Sequence, residues 1–395
     1  MNPSSPLPDA IPFDDIRHVL VVKLRHHSDV LLTSPVFSAL KRHAPHVHID
    51  ALVYSDTAAM LTLHPAINEV LTVNRNWKKL GRLGEMKKEW HLFRALRAGD
   101  YDLVIHLSEH ARGAWMARLL GAQWAVGQAR PGARWRDSFT HLYNQPRTTF
   151  RHTVESNLDA LRRIGVQPAP EERRLTLVPG YEAEMKVAAR IRELGIEPRK
   201  FIHIHPASRW IFKCWPTAHM AALIDMLQAV GHQVVLTAAP SREEKVLVED
   251  IQSRLAKPVI SLAGGLSIKD MAVLSSCARL FIGIDSAPLH IAAAMRTPVV
   301  ALFGPTSDLQ WGPWGVPSRI IKSQHSCRPC GIDGCGGGKV SDCLVSLRPE
   351  SVFAAVNDLL RATESWKPDV GKAAPASPNP SWMDHLEDAM SWDTQ

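Results

Sequence analysis

The chain has 395 residues, 45% apolar and 22% charged, with a formal net charge of +7; this is a globular composition, too long for one ordinary core and sized for two. No run of about 18 apolar residues occurs, which excludes a membrane-spanning helix on the hydropathy criterion. No basic stretch leading into an apolar run opens the chain, so a cytosolic protein is the expectation.

After a proline-rich leader, residues 1–17, the near-continuous apolar run over 18–24 predicts a buried parallel strand. It ends in the polar stretch Arg25 to Asp29, and a helical pattern carried by Leu31, Leu32, Val36 and Leu40 follows. The alternation repeats: strand 47–53, helix 56–63, strand 70–73, a basic helix 85–97, strand 103–107 and helix 111–120. Strands spaced by such helices are βαβ units, so the first domain, 18–178, is expected to be a doubly wound sheet.

Prolines at 168 and 170 and the Pro179-Gly180 pair interrupt the pattern and place the linker. Beyond it come helix 181–194, strand 201–205, helix 218–230, strand 234–237, helix 241–255, strand 259–262, helix 268–277, strand 280–284, an alanine-rich helix from 287 and strand 299–303. A second doubly wound domain is expected over 179–365. Two such domains in tandem suggest a shared cleft at the carboxyl ends of their strands. Residues 366–395 read as a flexible tail, proline-rich first and acidic at the end.

Two clusters stand apart. Eight Lys and Arg against two Glu fall within residues 75–98, and Arg130, Arg134 and Arg136 follow. Such runs are either a solvated helix face or a surface facing anionic lipid or phosphorylated glycan; Lys78, Lys79, Lys87, Lys88, Arg134 and Arg136 are the candidates. No zinc-finger, RRM or helix-turn-helix context accompanies them, so nucleic acid is not the expected partner. Cys327, Cys330, Cys335 and Cys343 form C-x2-C-x4-C-x7-C in a glycine-rich loop. They read as a structural zinc site or as reduced, unligated thiols.

The polar groups that can do chemistry stand where strands end. Asp29 follows the first strand. Ser208 and Lys213 follow strand 201–205, Leu266 lies in the Gly264-Gly265 loop, and Asp285, Ser286, Ala287, Pro288 and His290 form a strand-to-helix corner. Pro288 in a first turn costs no hydrogen bond, and the orphan amides there favour an anion by ~0.3–1 kcal/mol, up to ~2 when partly buried. A carboxylate as general base and a cation beside a helix N-terminus suit group transfer from a nucleotide-activated donor. Asp29, Asp285 and Ser286 also have a plainer role as helix N-caps.

The phrases V-V-K-L-R-H-H-S-D-V-L-L-T-S-P-V (21–36), W-R-D-S-F-T-H-L (135–142), R-W-I-F-K-C-W (209–215) and F-I-G-I-D-S-A-P-L-H-I-A-A-A (281–294) resemble those of the ADP-heptose:lipopolysaccharide heptosyltransferases of glycosyltransferase family nine. The resemblance covers about residues 18–362 and is nearest to the core heptosyltransferase III type. It implies a GT-B fold, two Rossmann-like domains facing across a cleft, and an inverting transfer of heptose to the lipopolysaccharide inner core. It further implies a first domain for the acceptor, a second for the donor, no required cofactor, and a lipid A-linked acceptor at the cytoplasmic face of the inner membrane.

Position by position, Asp29 matches the family's base and Lys213 its phosphate-binding lysine. Ser208, Asp285, Ser286, Ala287 and His290 match donor contacts, Leu266 the adenine-packing position, and Glu243 or Glu244 a ribose-binding glutamate. Ser28 stands where the family carries glycine, which leaves the shape of that corner open. The alternatives are a heptosyltransferase I or II step or a non-catalytic nucleotide-sugar-binding protein. A dinucleotide-dependent oxidoreductase is disfavoured because Lys23 to Asp29 contains no glycine and hence no G-x-G-x-x-G.

Overall fold

The computed structural model describes residues 9–144 and 151–366. The chain divides into two compact units, Met1–Thr176 and Leu177–Gln395, so the break falls inside the proline-marked stretch. Residues 1–8 of the proline-rich leader and 367–395 of the tail lie outside the described residues.

In the first unit the strands are β1 (His18–Lys23), β2 (His48–Tyr54), β3 (Glu69–Val73), β4 (Leu103–His106), β5 (Trp124–Gln128) and β6 (His141–Tyr143). All pair in parallel in the order β3-β2-β1-β4-β5-β6. Helices α1 (His27–Leu31), α2 (Ser34–His43), α3 (Gly81–Ala98), α4 (Ala111–Leu120), α5 (Ala133–Arg136) and α6 (Thr153–Arg162) accompany them. Residues Val19 to Val22 of β1 are wholly buried, as a strand covered on both faces must be.

The second unit repeats the plan. Its strands are β7 (Ile202–His205), β8 (Val234–Leu236), β9 (Ile260–Ser261), β10 (Leu280–Ile284), β11 (Val299–Phe303) and β12 (Ser318–Lys322). They pair in parallel in the order β12-β11-β10-β7-β8-β9. The helices are α7 (Tyr181–Glu193), α8 (Thr217–Ala229), α9 (Arg242–Ser253), α10 (Ile268–Cys277), α11 (Ala287–Ala294), α12 (Asp308–Trp311), α13 (Asp342–Val345) and α14 (Pro349–Ala362).

Counted within each unit, both sheets have the doubly wound order 3-2-1-4-5-6, whose crevice opens where the order reverses. That point lies between β1 and β4 in the first unit and between β7 and β10 in the second. The candidate residues at the ends of β1, β7 and β10 therefore occupy the positions where this topology leaves room for a ligand.

The structure departs from the sequence expectation in several elements. Ser55–Met60 is a 3-10 helix in place of an α-helix. Strands β5, β6 and β12 and helices α5, α6, α12, α13 and α14 extend the predicted set. The two edge strands are weak signals: β6 is three residues long, and β12 has no buried residue because it lies at a sheet margin. Helix α14 buries Val352, Val356 and Leu359 at helical spacing against the sheet of the second unit.

Candidate active site

In the second unit, β7 runs into a loop ending in the short turn Ile211–Lys213, and β10 ends one residue before Asp285. Lys213 Nζ donates to Asp285 Oδ2 at 2.6 Å, with the side chains 18% and 7% exposed. Two expected donor contacts, 72 residues apart, are thus one ion pair. Such burial makes the pair costly to break from one side, since the remaining charge is left uncompensated. The loop below is anchored by Trp215, whose indole donates to Leu347 O at 3.2 Å, and by Ser341 Oγ, which donates to Phe212 O at 2.6 Å.

Ser286 is the N-cap of α11 in extended conformation, with Pro288 in the first turn. Its hydroxyl does not cap the helix and instead donates to Ile284 O at 3.4 Å. Pro288 carries no N–H and the Leu289 amide donates to Ser286 O at 3.2 Å, so the Ala287 amide is the first-turn donor left for an anion at this helix N-terminus. Ser208 is buried, its Oγ accepting from the Trp210 amide at 3.2 Å. His290 is fully buried against Trp311, at a ring separation of 6.3 Å, so it lies inside the packing of α11.

Of the two glutamates left open by the sequence, Glu243 is exposed and Glu244 is buried. Glu244 accepts from the Ala239 amide at 2.8 Å and stands 3.6 Å from His205 Nε2. Burial pushes its carboxyl up, but the His205 and Ala239 hydrogen bonds hold it below the usual range. His205 continues inward to Thr237 Oγ1 at 2.9 Å, which meets His203 Nε2 at 2.8 Å, and His203 Nδ1 meets Ser275 Oγ at 3.1 Å. Burial lowers the His203 imidazole to about 3, so it is neutral. This polar chain was not legible as a site in the sequence, although the Ile202-His203-Ile204-His205 alternation marks it.

Leu266 is half-buried and packs on the cluster that includes Val273 and Leu262. Gly264 beside it has φ +71, so the loop needs glycine for its conformation.

In the first unit Asp29 is the third residue of α1 and 8% exposed. Its Oδ2 accepts from the His26 amide at 3.3 Å and its Oδ1 from Arg25 Nε at 3.4 Å. Both bonds are long, and a carboxylate has about four lone-pair sites, so accepting capacity remains. Ser28 lies inside α1 and is absent from the positive-φ residues, so a non-glycine residue fits there without strain.

Beneath this turn the structure reveals a residue that the sequence did not single out. Lys23, at the end of β1, is 6% exposed and donates to Leu107 O at 2.8 Å and Asn157 Oδ1 at 3.0 Å. Asn157 Nδ2 donates in turn to Leu32 O at 2.9 Å, joining β1, β4 and α6 under α1. Burial lowers the Lys23 ammonium to about 8, and the nearby Asp29 carboxylate opposes that fall. A lysine interrupting an apolar strand was the available signal.

Between pH 8 and 10.5 the unfolded chain binds the Lys23 proton and the folded one does not, so this residue makes stability rise with pH across that window. The gain approaches about 3 kcal/mol. Denaturant unfolding at several pH values is expected to show this rise in the wild type relative to Lys23→Met, in which the difference disappears. A parallel pH dependence in the two proteins would remove the assignment.

His106, at the end of β4, is fully buried between Phe139 and Trp135, with ring centroids 5.7 and 5.6 Å away. Burial lowers it to about 3. An added Cβ at Gly113 would stand 1.7 Å from its Nε2, so α4 can settle on the ring only with glycine there.

The expected acceptor-facing cations Lys79, Lys87, Lys88, Arg134 and Arg136 are all exposed. Lys78 falls in the 3-10 turn Arg75–Leu80, and its side chain is outside the described residues. Of the cysteines expected as possible zinc ligands, Cys343 lies near enough to Cys327, Cys330 and Cys335 for their charges to act on its thiol. Cys327 and Cys335 are exposed while Cys343 is buried in α13, and all four thiols are free. Among the described residues no group of three or more His, Cys, Asp or Glu is placed to hold a metal ion.

The chain matches the family model of glycosyltransferase family 9 (heptosyltransferase) over residues 89–340. It is 38% identical over 298 residues to lipopolysaccharide heptosyltransferase 3 of Escherichia coli, covering 74% of this chain and 84% of that protein. It is 28% identical over 367 residues to lipopolysaccharide heptosyltransferase 1 of Pseudomonas aeruginosa, covering 88% and 99%. Among solved structures it is similar to a family 9 glycosyl transferase from Veillonella parvula, at TM-score 0.77 and 22% identity over 90% of this chain and 99% of that one. The E. coli heptosyltransferase WaaC with ADP gives TM-score 0.69 at 19% identity, over 87% and 99%. These structural likenesses carry the fold, and the sequence matches carry the family. The chain belongs to glycosyltransferase family 9, the heptosyltransferases.

Proposed function

We propose that this glycosyltransferase moves L-glycero-D-manno-heptose from ADP-heptose, with inversion, to a heptose of the lipopolysaccharide inner core, at the heptosyltransferase III step. The observation that carries the reading is the buried Lys213–Asp285 pair beside the uncapped start of α11, at the switch point of a doubly wound sheet. A cation beside a helix N-terminus that no side chain caps is what a departing diphosphate needs. The 38% identity to a lipopolysaccharide heptosyltransferase 3 supports heptosyl transfer and favours this step.

In the proposed reaction an acceptor hydroxyl oxygen attacks the anomeric carbon, the bond from that carbon to the ADP oxygen breaks, and the hydroxyl proton passes to Asp29. The charge that gathers on ADP is met by Lys213 and the N-terminus of α11, with Ser208 and Ser286 as further hydroxyl contacts. Glu244 supports the neighbouring loop, and Leu266 offers an apolar surface to adenine. The first unit binds the acceptor and the second the donor. The acceptor is lipid A-linked, which places the enzyme at the cytoplasmic face of the inner membrane; no described helix is long and apolar enough to cross a membrane.

The test is purified protein with ADP-heptose and truncated lipopolysaccharide acceptors of defined length. Heptose is expected on an acceptor that already carries the inner-core heptoses, and the rate is expected to persist in EDTA because protein groups supply the countercharge. Transfer only to a heptose-free acceptor would move the reading to the heptosyltransferase I step. A requirement for added divalent cation would overturn the proposed charge balance.

A further inference from the structure

Helix α3 has two apolar sides. Leu92 and Leu96 are buried in the core of the first unit, while Leu83, Met86 and Trp90, at spacing i, i+3 and i+7, are 84%, 66% and 58% exposed on the other side. Leu80, in the turn before α3, is 55% exposed. Helix α4 packs beside α3 and presents Trp115 and Leu119, one turn apart and each 55% exposed. An Arg112–Glu89 ion pair links the two helices next to these stripes.

A solvated helix face should be polar where it is most exposed, and this one is not. Isolated exposed apolar residues need no explanation, but five large ones on two adjoining helices, with Leu80 just before them, do. Their surroundings state the chemistry of the partner. Lys79, Arg82, Lys87, Lys88 and Arg94 are exposed on the same short segment, and residues 75–98 carry eight Lys and Arg against two Glu, nearly the whole formal excess of +7. Apolar side chains with a tryptophan among them, flanked by cations, match an anionic lipid surface: acyl chains take the former and headgroup phosphates the latter.

We infer that the α3–α4 face is a membrane-docking surface, in which Leu83, Met86, Trp90, Trp115 and Leu119 enter the headgroup–acyl boundary of an anionic bilayer and the flanking lysines and arginines contact lipid phosphates. The inference deepens the proposed function, because a lipid A-linked acceptor resides in a bilayer, and it assigns membrane contact to particular helices. It does not require the transfer reaction to be correctly identified.

The experiment uses the full chain without acceptor and vesicles of phosphatidylethanolamine with phosphatidylglycerol, against vesicles of phosphatidylcholine alone. Wild type is expected to float with the anionic vesicles and only weakly with the neutral ones. Leu83→Ser/Met86→Ser/Trp90→Ser is expected to lower that binding about 10-fold or more, while heptose transfer to a water-soluble core oligosaccharide stays unchanged. Lys87→Glu/Lys88→Glu is expected to weaken anionic binding and steepen its salt sensitivity. Brominated acyl chains are expected to quench tryptophan emission, less so in Trp90→Phe/Trp115→Phe.

Absence of binding to anionic vesicles, or a triple-serine variant that binds like wild type, overturns the assignment. So does a dimer in solution that the triple-serine change dissociates, which would make a second copy the occupant of this face. Loss of transfer to the soluble oligosaccharide in wild type would instead strike the proposed function, leaving the vesicle result to stand alone.

Discussion

Replacing Asp29 by asparagine is expected to lower kcat about 10²–10⁴-fold, the usual contribution of a positioned general base, while ADP-heptose affinity changes little. The choice of asparagine matters. In the structure Asp29 accepts from the His26 amide at the start of α1, and an asparagine carbonyl oxygen can accept the same bond. The substitution therefore keeps the capping role and removes the proton acceptor. Alanine removes both, and a lost interaction with the helix N-terminus costs about 0.3–1 kcal/mol of its own. Steady-state kinetics with both substrates, donor binding by calorimetry and thermal unfolding separate the two roles. Wild-type turnover in Asp29→Asn would reduce Asp29 to a helix-capping residue and transfer the search for a base elsewhere in the first unit.

Why was Asp29 legible before the structure, when Lys23 was not? Asp29, Lys213 and Asp285 each follow an apolar run that a buried parallel strand must have, and a polar group at that border faces the end of the sheet. The strand residues themselves were the clearest part of the fold: β10 and β11 and helix α10 coincide with the boundaries expected from hydrophobic patterning. Lys23 lies within such a run, where an amine needs partners from other elements; it finds them in Leu107 and Asn157, 84 and 134 residues away. No local pattern encodes those distances.

The same reasoning explains the glutamates. Glu243 and Glu244 are equivalent as a sequence pair, and only the phase of α9 turns Glu244 inward to Ala239 and His205 and leaves Glu243 outside. The cysteine spacing permits convergence, and in the structure Cys343 is buried in α13 while Cys327 and Cys335 are exposed. Where function depends on residues meeting across the fold, spacing along the chain is a necessary condition and a weak one.

Lys213→Ala is expected to lower kcat/KM for ADP-heptose about 10³-fold, combining a loss of donor affinity with a loss of rate. The ammonium would touch the diphosphate both before and during bond cleavage, so part of its effect is uniform binding and appears in KM. The remainder appears in kcat, because negative charge on the leaving ADP grows toward the transition state and a preorganised donor there is worth about 10²–10³ in rate. The substitution has a further consequence that the 2.6 Å contact imposes: Asp285, with its side chain 7% exposed, loses its counterion. An uncompensated buried charge costs about 3–5 kcal/mol, enough to lower the unfolding temperature and to mimic a loss of function. Lys213→Ala/Asp285→Ala removes that penalty along with the pair. Its unfolding temperature is expected to return toward wild type while kcat/KM stays low, since nothing has replaced the cation. Recovery of activity together with stability in the double variant would make the pair a structural clamp and would remove Lys213 from the leaving-group side of the reaction.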